Sequence, residues 1–284
     1  MAEKLVVKEK GKLLDFMFAN LNGWSKKTIK QRLQNSTVTV NSKFITKHDY
    51  MLEKNDLVEV GVTQKASPNG IKKLEIIYQD KYIIAINKPA GLLSVSTASE
   101  NKEHALGILR AQLSKGKNQV KLWPVHRLDR DTSGVLLFAT SKELREKVMD
   151  NWPNSQKIYL AIVQGSPKQK SGTINEPLRL DEKEYRMHVG AHPDAKSAIT
   201  HYEVKEVSNA RSLLEVKIET GRQHQIRAHM AWLGNSIVGD QRYGENGDRM
   251  GLHAKKLIII HPNTNKKMSF EIDAKGDFYQ LLNK

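Results

Sequence analysis

The sequence predicts an α+β fold in which a large domain, with a mixed, largely antiparallel sheet and flanking helices, follows a small domain with a helical hairpin and a short sheet. Strand-like runs outnumber helical ones and often follow one another directly, which favours antiparallel pairing over a doubly wound sheet. Helical periodicity opens the chain, and a stretch without apolar periodicity separates it from the strand-rich part. The 284 residues are sufficient for two such domains.

The first sixty residues show two short helices and a small sheet. Apolar residues recur at helical spacing over residues 14–21, and Asn22-Gly23 ends this first helix. Ser25 has the character of an N-cap and is expected to begin the second helix. Short strands are predicted at residues 38–40, before the polar Asn41-Ser42 turn, and at residues 57–60.

A turn-rich stretch marks the domain boundary. Residues 61–73 contain Ser67-Pro68-Asn69-Gly70 and no apolar periodicity, as is typical of a linker. We therefore predict a small domain over residues 1–62, a linker over residues 63–73 and a large domain over residues 74–284.

The large domain is predicted from alternating and continuous apolar runs. Its strands are expected at residues 74–78, 82–86, 135–139, 158–163, 200–207, 213–218 and 257–260. Its helices are expected at residues 103–113, 142–149 and 223–233.

The composition restricts the possible functions. Lysine and arginine number 46 against 31 acidic residues, which gives a formal charge of +15 and a pI near 9.7 and favours a polyanionic partner such as nucleic acid. There is no cysteine, so disulfides, thiolate catalysis and cysteine-ligated metal centres are excluded. No apolar run approaches the ~18 residues that span a bilayer, and we expect a soluble, cytoplasmic protein without a membrane partner.

Two segments carry the candidate chemistry. Residues 126–134 (HRLDRDTSG) place four charges, a histidine and two hydroxyls directly before an apolar strand. On composition alone, a charged turn is the favoured interpretation of this segment. Residues 220–229 open a helix with two arginines and two histidines. Because the helix dipole disfavours arginine near the N-terminus, this placement requires an acidic or phosphate partner.

Together with several other motifs, these segments resemble the RluA family of pseudouridine synthases. The resemblance covers roughly residues 74–273. It rests on Asn87-Lys88-Pro89-Ala90-Gly91-Leu92-Leu93, His126-Arg127-Leu128-Asp129 with Thr132-Ser133-Gly134, Lys157 with Tyr159, and Gly221-Arg222 with His224-Gln225-Ile226-Arg227. Arg186-Met187, Ala198 with Thr200 and Tyr202, Gly239-Asp240 with Tyr243-Gly244, and Leu252-His253-Ala254 are further similarities.

The resemblance implies an RNA pseudouridine synthase, an isomerase that detaches uracil from ribose, turns it and rejoins it through carbon 5 without a cofactor. It implies that Asp129 is the essential carboxylate, acting as a nucleophile or by abstracting a proton. It also implies that Arg227 pairs with Asp129, that Tyr159 stacks on the uracil, and that Arg127 enters the space left by the extruded base.

The N-terminal domain is similar to a small RNA-binding domain of a small-subunit ribosomal protein, which often precedes such synthases. This similarity implies RNA contacts from the basic side of the second helix, namely Lys26, Lys27, Lys30 and Arg32. A merely solvated lysine face is the alternative.

The implied partner is structured RNA, with large-subunit ribosomal RNA as the first expectation and tRNA as the second, bound by a monomer. We expect no metal, because the His188/His192 and His224/His229 pairs have no third ligand at metal spacing. A non-catalytic RNA-binding or ribosome-assembly protein is the competing interpretation. Release of tritium from carbon 5 of uridine distinguishes the two.

Overall fold

The computed structural model describes residues 3–34, 37–45, 47–61, 73–96, 103–114, 119–182, 184 and 186–283. The chain forms two compact units, one comprising Met1–Pro68 with Leu180–Met187 and the other Asn69–Arg179 with His188–Lys284. The predicted linker is at residues 63–73, of which residues 63–72 lie outside the described residues. In the described part of the chain, no helix is both long and apolar enough to cross a membrane.

The first unit contains the predicted pair of helices and a four-stranded sheet. Its elements are β1 (Glu3–Val6), β2 (Gly11–Lys12), α1 (Leu13–Asn20), α2 (Lys26–Gln34), β3 (Val38–Val40), β4 (Lys43–Phe44), β5 (Met51–Leu52) and β6 (Leu57–Val60). The sheet has the order β1-β6-β3-β4 with antiparallel pairing, and β2 pairs with β5. Ile29 and Leu33 of α2 are buried in the core of this unit.

Local hydrogen bonds explain where these elements begin and end. The amide of Thr28 donates to the Ser25 hydroxyl at 3.1 Å, which confirms Ser25 as the N-cap of α2. Asn41 and Ser42 have φ angles of 50° and 67° and join β3 to β4, as the polar turn predicted.

The second unit is built mainly from strands. Its elements are β7 (Glu75–Gln79), β8 (Ile83–Lys88), α3 (Ala105–Leu113), β9 (Trp123–Pro124), β10 (Ser133–Ala139), α4 (Lys142–Asp150), β11 (Gln156–Gln164), β12 (Ser171–Asn175), β13 (Leu178–Asp181), β14 (Arg186–Val189), β15 (Ile199–Ser208), β16 (Arg211–Ile218), α5 (Gln225–Trp232), β17 (Leu252–Ile260), β18 (Lys267–Glu271) and α6 (Gly276–Tyr279). Strands β13 and β14 pair with each other, and Leu180–Met187, which includes parts of both strands, belongs to the first unit.

Ten of these strands form one sheet with the central order β12-β15-β16-β11-β17-β10-β8-β7, to which β18 and β9 add at β17 and β10. Among the strand pairs of this sheet that the structure describes, β10 with β17 is parallel and the others are antiparallel. The prediction of a mixed, largely antiparallel α+β fold is therefore confirmed.

The parallel pair explains the glycine that ends the 126–134 segment. Gly134 has a φ of 113°, and a Cβ there would overlap the backbone carbonyl of Ala254 in β17. A side chain at this position would separate the two strands, so β10 and β17 can meet here only at glycine. The polar segment is thereby held at the beginning of a fully buried strand in the middle of the sheet.

Candidate active site

The Asp129 backbone lies in a fixed turn directly before β10. The Ser94 hydroxyl donates to the carbonyl of Leu128 at 2.7 Å and accepts from its amide at 3.0 Å. The amide of Thr132 donates to the carbonyl of Asp129 at 3.2 Å. The turn is thus pinned on both sides of the carboxylate.

Lys88, at the end of β8, stabilises the same turn through hydrogen bonds to backbone carbonyls. Its ammonium group is fully buried and donates to the carbonyls of Pro89, Leu92 and Arg130 at 2.9, 2.7 and 2.9 Å. Burial lowers the pKa of Lys88 to about 7. Because its protons are directed at backbone carbonyls, this lysine positions the turn rather than acting on a substrate.

Gln225 organises the loop that leads into α5. Its Oε1 accepts from the Thr220 hydroxyl at 2.8 Å and from the Arg222 amide at 3.0 Å. Its Nε2 donates to the Ile199 carbonyl and the Thr200 hydroxyl, both at 3.0 Å. The amide group therefore has a full set of partners, and the first turn of α5 is firmly placed.

Arg227 lies in that first turn and bridges two carboxylates. Its Nη1 donates to Asp129 Oδ2 at 2.9 Å, and its Nε and Nη2 donate to the two oxygens of Asp240 at 2.7 and 2.8 Å. Asp240 is fully buried and also accepts from the amides of Arg242 and Tyr243 at 3.0 and 3.2 Å. The acidic partners of this arginine at a helix N-terminus are thus Asp129, 98 residues away in sequence, and Asp240, 13 residues away.

The surroundings of Asp129 favour its charged form. Burial would raise the pKa of Asp129, but the charges of His224, when protonated, and of Arg227, together with the Arg227 hydrogen bond, lower that pKa to about 2. About 28% of the side chain is exposed, so the carboxylate is still accessible. At neutral pH it is an ionised, oriented and reachable group.

His224 is the second neighbour of Asp129 on α5. Its Nε2 lies 3.7 Å from Asp129 Oδ2, and its Nδ1 lies 3.1 Å from the Tyr243 hydroxyl. It is the N-cap of α5 in the left-handed conformation, with a φ of 50°, and its side chain makes no capping hydrogen bond. Burial lowers the pKa of His224 to about 4, so the imidazole is neutral at pH 7.

Tyr159 lies on β11 at an irregular point of the sheet. The register between β11 and β17 shifts between Ile158 and Leu160, and such a bulge redirects the side chain at that position. The ring is half-buried between two apolar clusters. Burial and the charge of Asp129 raise the pKa of the Tyr159 hydroxyl, which therefore stays protonated.

Arg127 is not brought into contact with the other candidate residues. Its side chain is exposed and makes no hydrogen bond or ion pair with any residue that the structure describes. The neighbouring Arg130 behaves differently, since its Nε and Nη2 donate to the carboxylate of Asp131 at 3.0 and 3.3 Å.

The basic candidates of the first unit lie together on α2. Lys26 and Lys27 are exposed, and the ammonium groups of Lys26 and Lys30 lie 5.7 and 5.9 Å from the centre of the Phe18 ring. Lys30 Nζ also donates to the Glu182 carbonyl at 3.5 Å.

Arg32, the last basic candidate, stacks over Trp24 at 5.4 Å. The charged groups of three of these residues are thus held against aromatic rings, which attract a cation without neutralising it.

Asp240, Lys88 and His224 were recognised from the sequence only as parts of motifs, without a role. For Asp240 and Lys88, however, the sequence contains a signal that the charged side chain is buried. Asp240 follows Ile237-Val238-Gly239, and Lys88 follows the apolar run of β8, so each charge interrupts a buried segment. Charged residues in such positions are almost always paired, and looking for their partners would have linked Asp240 to Arg227.

In the described part of the chain, no group of three His, Asp or Glu side chains could hold a metal ion.

Comparisons with known proteins agree on one family. A family model described as RNA pseudouridylate synthase matches residues 82–232, a range that contains Asp129, Tyr159 and Arg227. Ribosomal large subunit pseudouridine synthase D of Yersinia pestis is 30% identical, over 96% of this chain and 90% of its own length. tRNA pseudouridine synthase C of Vibrio parahaemolyticus serotype O3:K6 is 34% identical, over 74% of this chain and 94% of its own length.

A solved structure, human RNA pseudouridylate synthase domain containing 1, superposes with a TM-score of 0.62. It is 24% identical and covers 73% of this chain and 86% of its own. This similarity supports the fold over about three quarters of the chain.

Proposed function

Because this chain belongs to the RNA pseudouridylate synthase family, and is thus an RNA pseudouridine synthase, we propose that Asp129 is the carboxylate on which its uridine isomerisation depends. The observation that carries the proposal is the Asp129–Arg227–Asp240 arrangement, in which one guanidinium joins a reachable carboxylate to a fully buried one. The reaction detaches uracil at its ring nitrogen and rejoins it to the ribose through carbon 5.

Asp129 acts on the sugar in its ionised form, either as a nucleophile or as a base. The low pKa of Asp129, about 2, makes the charged form dominant at every pH at which RNA is handled. Arg227 occupies only Oδ2, which leaves Oδ1 for the ribose.

Arg227 is proposed to keep the carboxylate charged when the incoming base excludes water. A guanidinium forms a planar fork that can serve two acceptors at once, which lysine cannot do. Asp240 is in turn a positioning residue, because its two hydrogen bonds fix the plane of the Arg227 fork.

Tyr159 is proposed to stack on the uracil ring. The half-buried position on β11 restricts the ring, and the raised pKa keeps its hydroxyl neutral beside the charged Asp129. An aromatic face accepts a base in any rotational setting, as an isomerase that turns its substrate requires.

Arg127 is proposed to enter the RNA stack when the target uridine leaves it. Extruding a base costs a few kcal/mol, which a planar cation can offset by stacking on neighbouring bases and contacting phosphate. Its exposed side chain, without a protein partner among the described residues, is available for this task.

The proposed substrate is large-subunit ribosomal RNA. The relative that acts on the ribosomal large subunit matches 96% of this chain, whereas the relative that acts on tRNA matches 74%. The fuller match supports ribosomal RNA, and tRNA is the second candidate.

The first unit is proposed to bind this RNA as a small ribosomal-protein-type domain. Its support is the basic side of α2, where the ammonium groups of Lys26 and Lys30 lie over the Phe18 ring. The contacts are assigned to Lys26, Lys27, Lys30 and Arg32. They supply affinity and orientation, while the chemistry belongs to the second unit.

A cytoplasmic location and a monomeric state complete the proposal. Ribosomal RNA and tRNA are cytoplasmic substrates in bacteria, and the described site draws its residues from one chain. Light scattering of the purified protein checks the monomer, for which one chain corresponds to 32.2 kDa.

The proposed function is tested with RNA labelled with tritium at carbon 5 of uridine, taken from cells that lack the gene. The parent protein is expected to release tritium in proportion to pseudouridine formed. Asp129→Asn should bind the same RNA with unchanged affinity and release none above background. Release at more than a few per cent of the parent rate would remove Asp129 from its role.

A further inference from the structure

Arg249 lies behind the proposed site and joins it to the end of the chain. Its Nη2 lies 3.4 Å from the Ser133 hydroxyl, at the beginning of β10. Its Nη1 forms an ion pair with Asp277 of α6, and its guanidinium stacks over Phe278 at 5.6 Å. The side chain is 17% exposed, although nothing in the proposed chemistry uses it.

The Ser133 hydroxyl is oriented by a buried histidine. His253 Nε2 lies 2.9 Å from the Ile272 carbonyl, which can only accept, so Nε2 carries the proton. Burial lowers the pKa of His253, so the ring is neutral and its Nδ1 accepts the Ser133 proton at 2.9 Å. The Ser133 oxygen is then left with its lone pairs toward Arg249.

The backbone of Arg249 contacts the other half of the site. Gly239 has a φ of 72°, and a Cβ there would overlap the Arg249 carbonyl. Gly239 directly precedes Asp240, so this close approach sets the position of the buried carboxylate that holds Arg227.

We infer that Arg249 is a positioning residue that sets the separation of Asp129 and Asp240, so that a single Arg227 guanidinium spans both. Its carbonyl fixes the Asp240 side, and its guanidinium fixes the Asp129 side through Ser133. Asp277 and Phe278 hold that guanidinium, which makes α6 a functional part of the site. The inference rests on the proposed function.

An unpaired donor supports this assignment. Arg249 Nε is buried and has no hydrogen-bond partner among the residues that the structure describes. Leaving such a group unpaired is unfavourable, and a lysine could pair with Asp277 without it. The contact of the guanidinium with Ser133, together with its stacking over Phe278, is what arginine provides here and lysine does not.

Arg211 provides the matched control. It also secures the C-terminal segment, because its Nη1 donates to the Leu281 carbonyl at 2.6 Å. Among the described residues, its side chain forms no hydrogen bond or ion pair with the Asp129 turn or with the loop that carries Asp240. Arg249→Lys and Arg211→Lys therefore both weaken the attachment of the C-terminal segment, and only the first disturbs the spacing of the two carboxylates.

The test measures kcat and KM for tritium release by the parent, Arg249→Lys and Arg211→Lys, with urea unfolding of each. Arg249→Lys should lower kcat about 10- to 100-fold with KM within about twofold, since small misplacements of catalytic groups have effects of this size. Arg211→Lys should leave kcat within about twofold of the parent.

Equal kcat values for the two variants, or a change in KM alone, would overturn the positioning role. If Arg249→Lys does not fold, Asp277→Asn replaces it, because 62% of the Asp277 side chain is exposed. That variant should lower kcat with KM unchanged, and an unchanged kcat would overturn the inference. A parent protein without any tritium release would instead contradict the proposed function itself.

Discussion

Replacing Asp129 with Asn should lower the free energy of unfolding at pH 7 by about 2 kcal/mol. The pKa of Asp129 falls from an ordinary value of 3.8 to about 2 in the folded protein. Each pKa unit corresponds to about 1.4 kcal/mol, so the full shift corresponds to about 2.5 kcal/mol; part of it comes from a protonated His224, which is neutral at pH 7, so about 2 kcal/mol is expected at that pH relative to the unfolded chain. Asparagine keeps the shape and removes this contribution.

The pH dependence of this stability difference follows from the direction of the Asp129 pKa shift. Because the folded-state pKa is depressed, the contribution is fully present above pH 3.8 and is lost as the pH falls through 2. The difference in the free energy of unfolding between the parent and Asp129→Asn should therefore fall to about half its pH 7 value by pH 3. Other carboxylates titrate in both proteins and cancel in the comparison.

Urea unfolding at pH 7 and pH 3 measures this gap. Asp150→Asn, at the exposed end of α4, is the matched control and should show no comparable gap at either pH. If Asp129→Asn were as stable as the parent at pH 7, the burial cost would equal the attraction of Arg227. The account of a satisfied, ionised carboxylate would then be refuted.

Three further predictions concern turnover and RNA binding. Arg227→Ala should abolish turnover at saturating RNA, and an unchanged kcat would contradict the pairing of Arg227 with Asp129. It should also lower the free energy of unfolding by about 3–5 kcal/mol, because it leaves the buried Asp240 without its partner. Tyr159→Phe should preserve RNA affinity and turnover because stacking persists, and a loss of turnover with normal affinity would assign a task to the hydroxyl. A triple alanine variant of the α2 lysines should flatten the slope of log affinity against log salt by roughly two to three, at about 0.7 to 0.9 per phosphate contact, with kcat unchanged. The lysines replaced are Lys26, Lys27 and Lys30. A control variant replaces three exposed lysines elsewhere in the same unit. If the triple variant and this control both keep the salt slope of the parent, the basic side of α2 is only solvated. The control positions are Lys8, Lys43 and Lys54.

Much of the fold was predictable because its main elements carry local signals. The apolar run of β10, the periodicity of α1 and the Ser25 cap are each contained within a few residues. The strands β12 and β18 were not predicted. β12 buries only Ile174 and is otherwise polar, so it has no apolar pattern, whereas in β18 Met268 and Phe270 alternate with polar residues and this signal was overlooked.

The site was predictable only in part, since its contacts are long-range. The helix dipole argument requires a partner for Arg227 but cannot say which acid supplies it, and Asp129 was chosen through family resemblance. Asp240 was missed as the second partner, because the apolar Ile237-Val238 before it shows only that its charge is buried and does not say which residue pairs with it. The left-handed conformation of His224 and its contacts with Asp129 and Tyr243 were equally hidden, since histidine adopts this conformation only occasionally and no local pattern marks it here.

The central claim, that Asp129 is the carboxylate on which uridine isomerisation depends, is tested most directly by mapping pseudouridines. Ribosomal RNA and tRNA are compared from cells that lack the gene and carry either the parent protein, Asp129→Asn or Asp150→Asn at equal levels. We expect at least one defined uridine to be converted with the parent and with Asp150→Asn, and to remain uridine with Asp129→Asn. Conversion of that uridine by Asp129→Asn to the parent level would contradict the account.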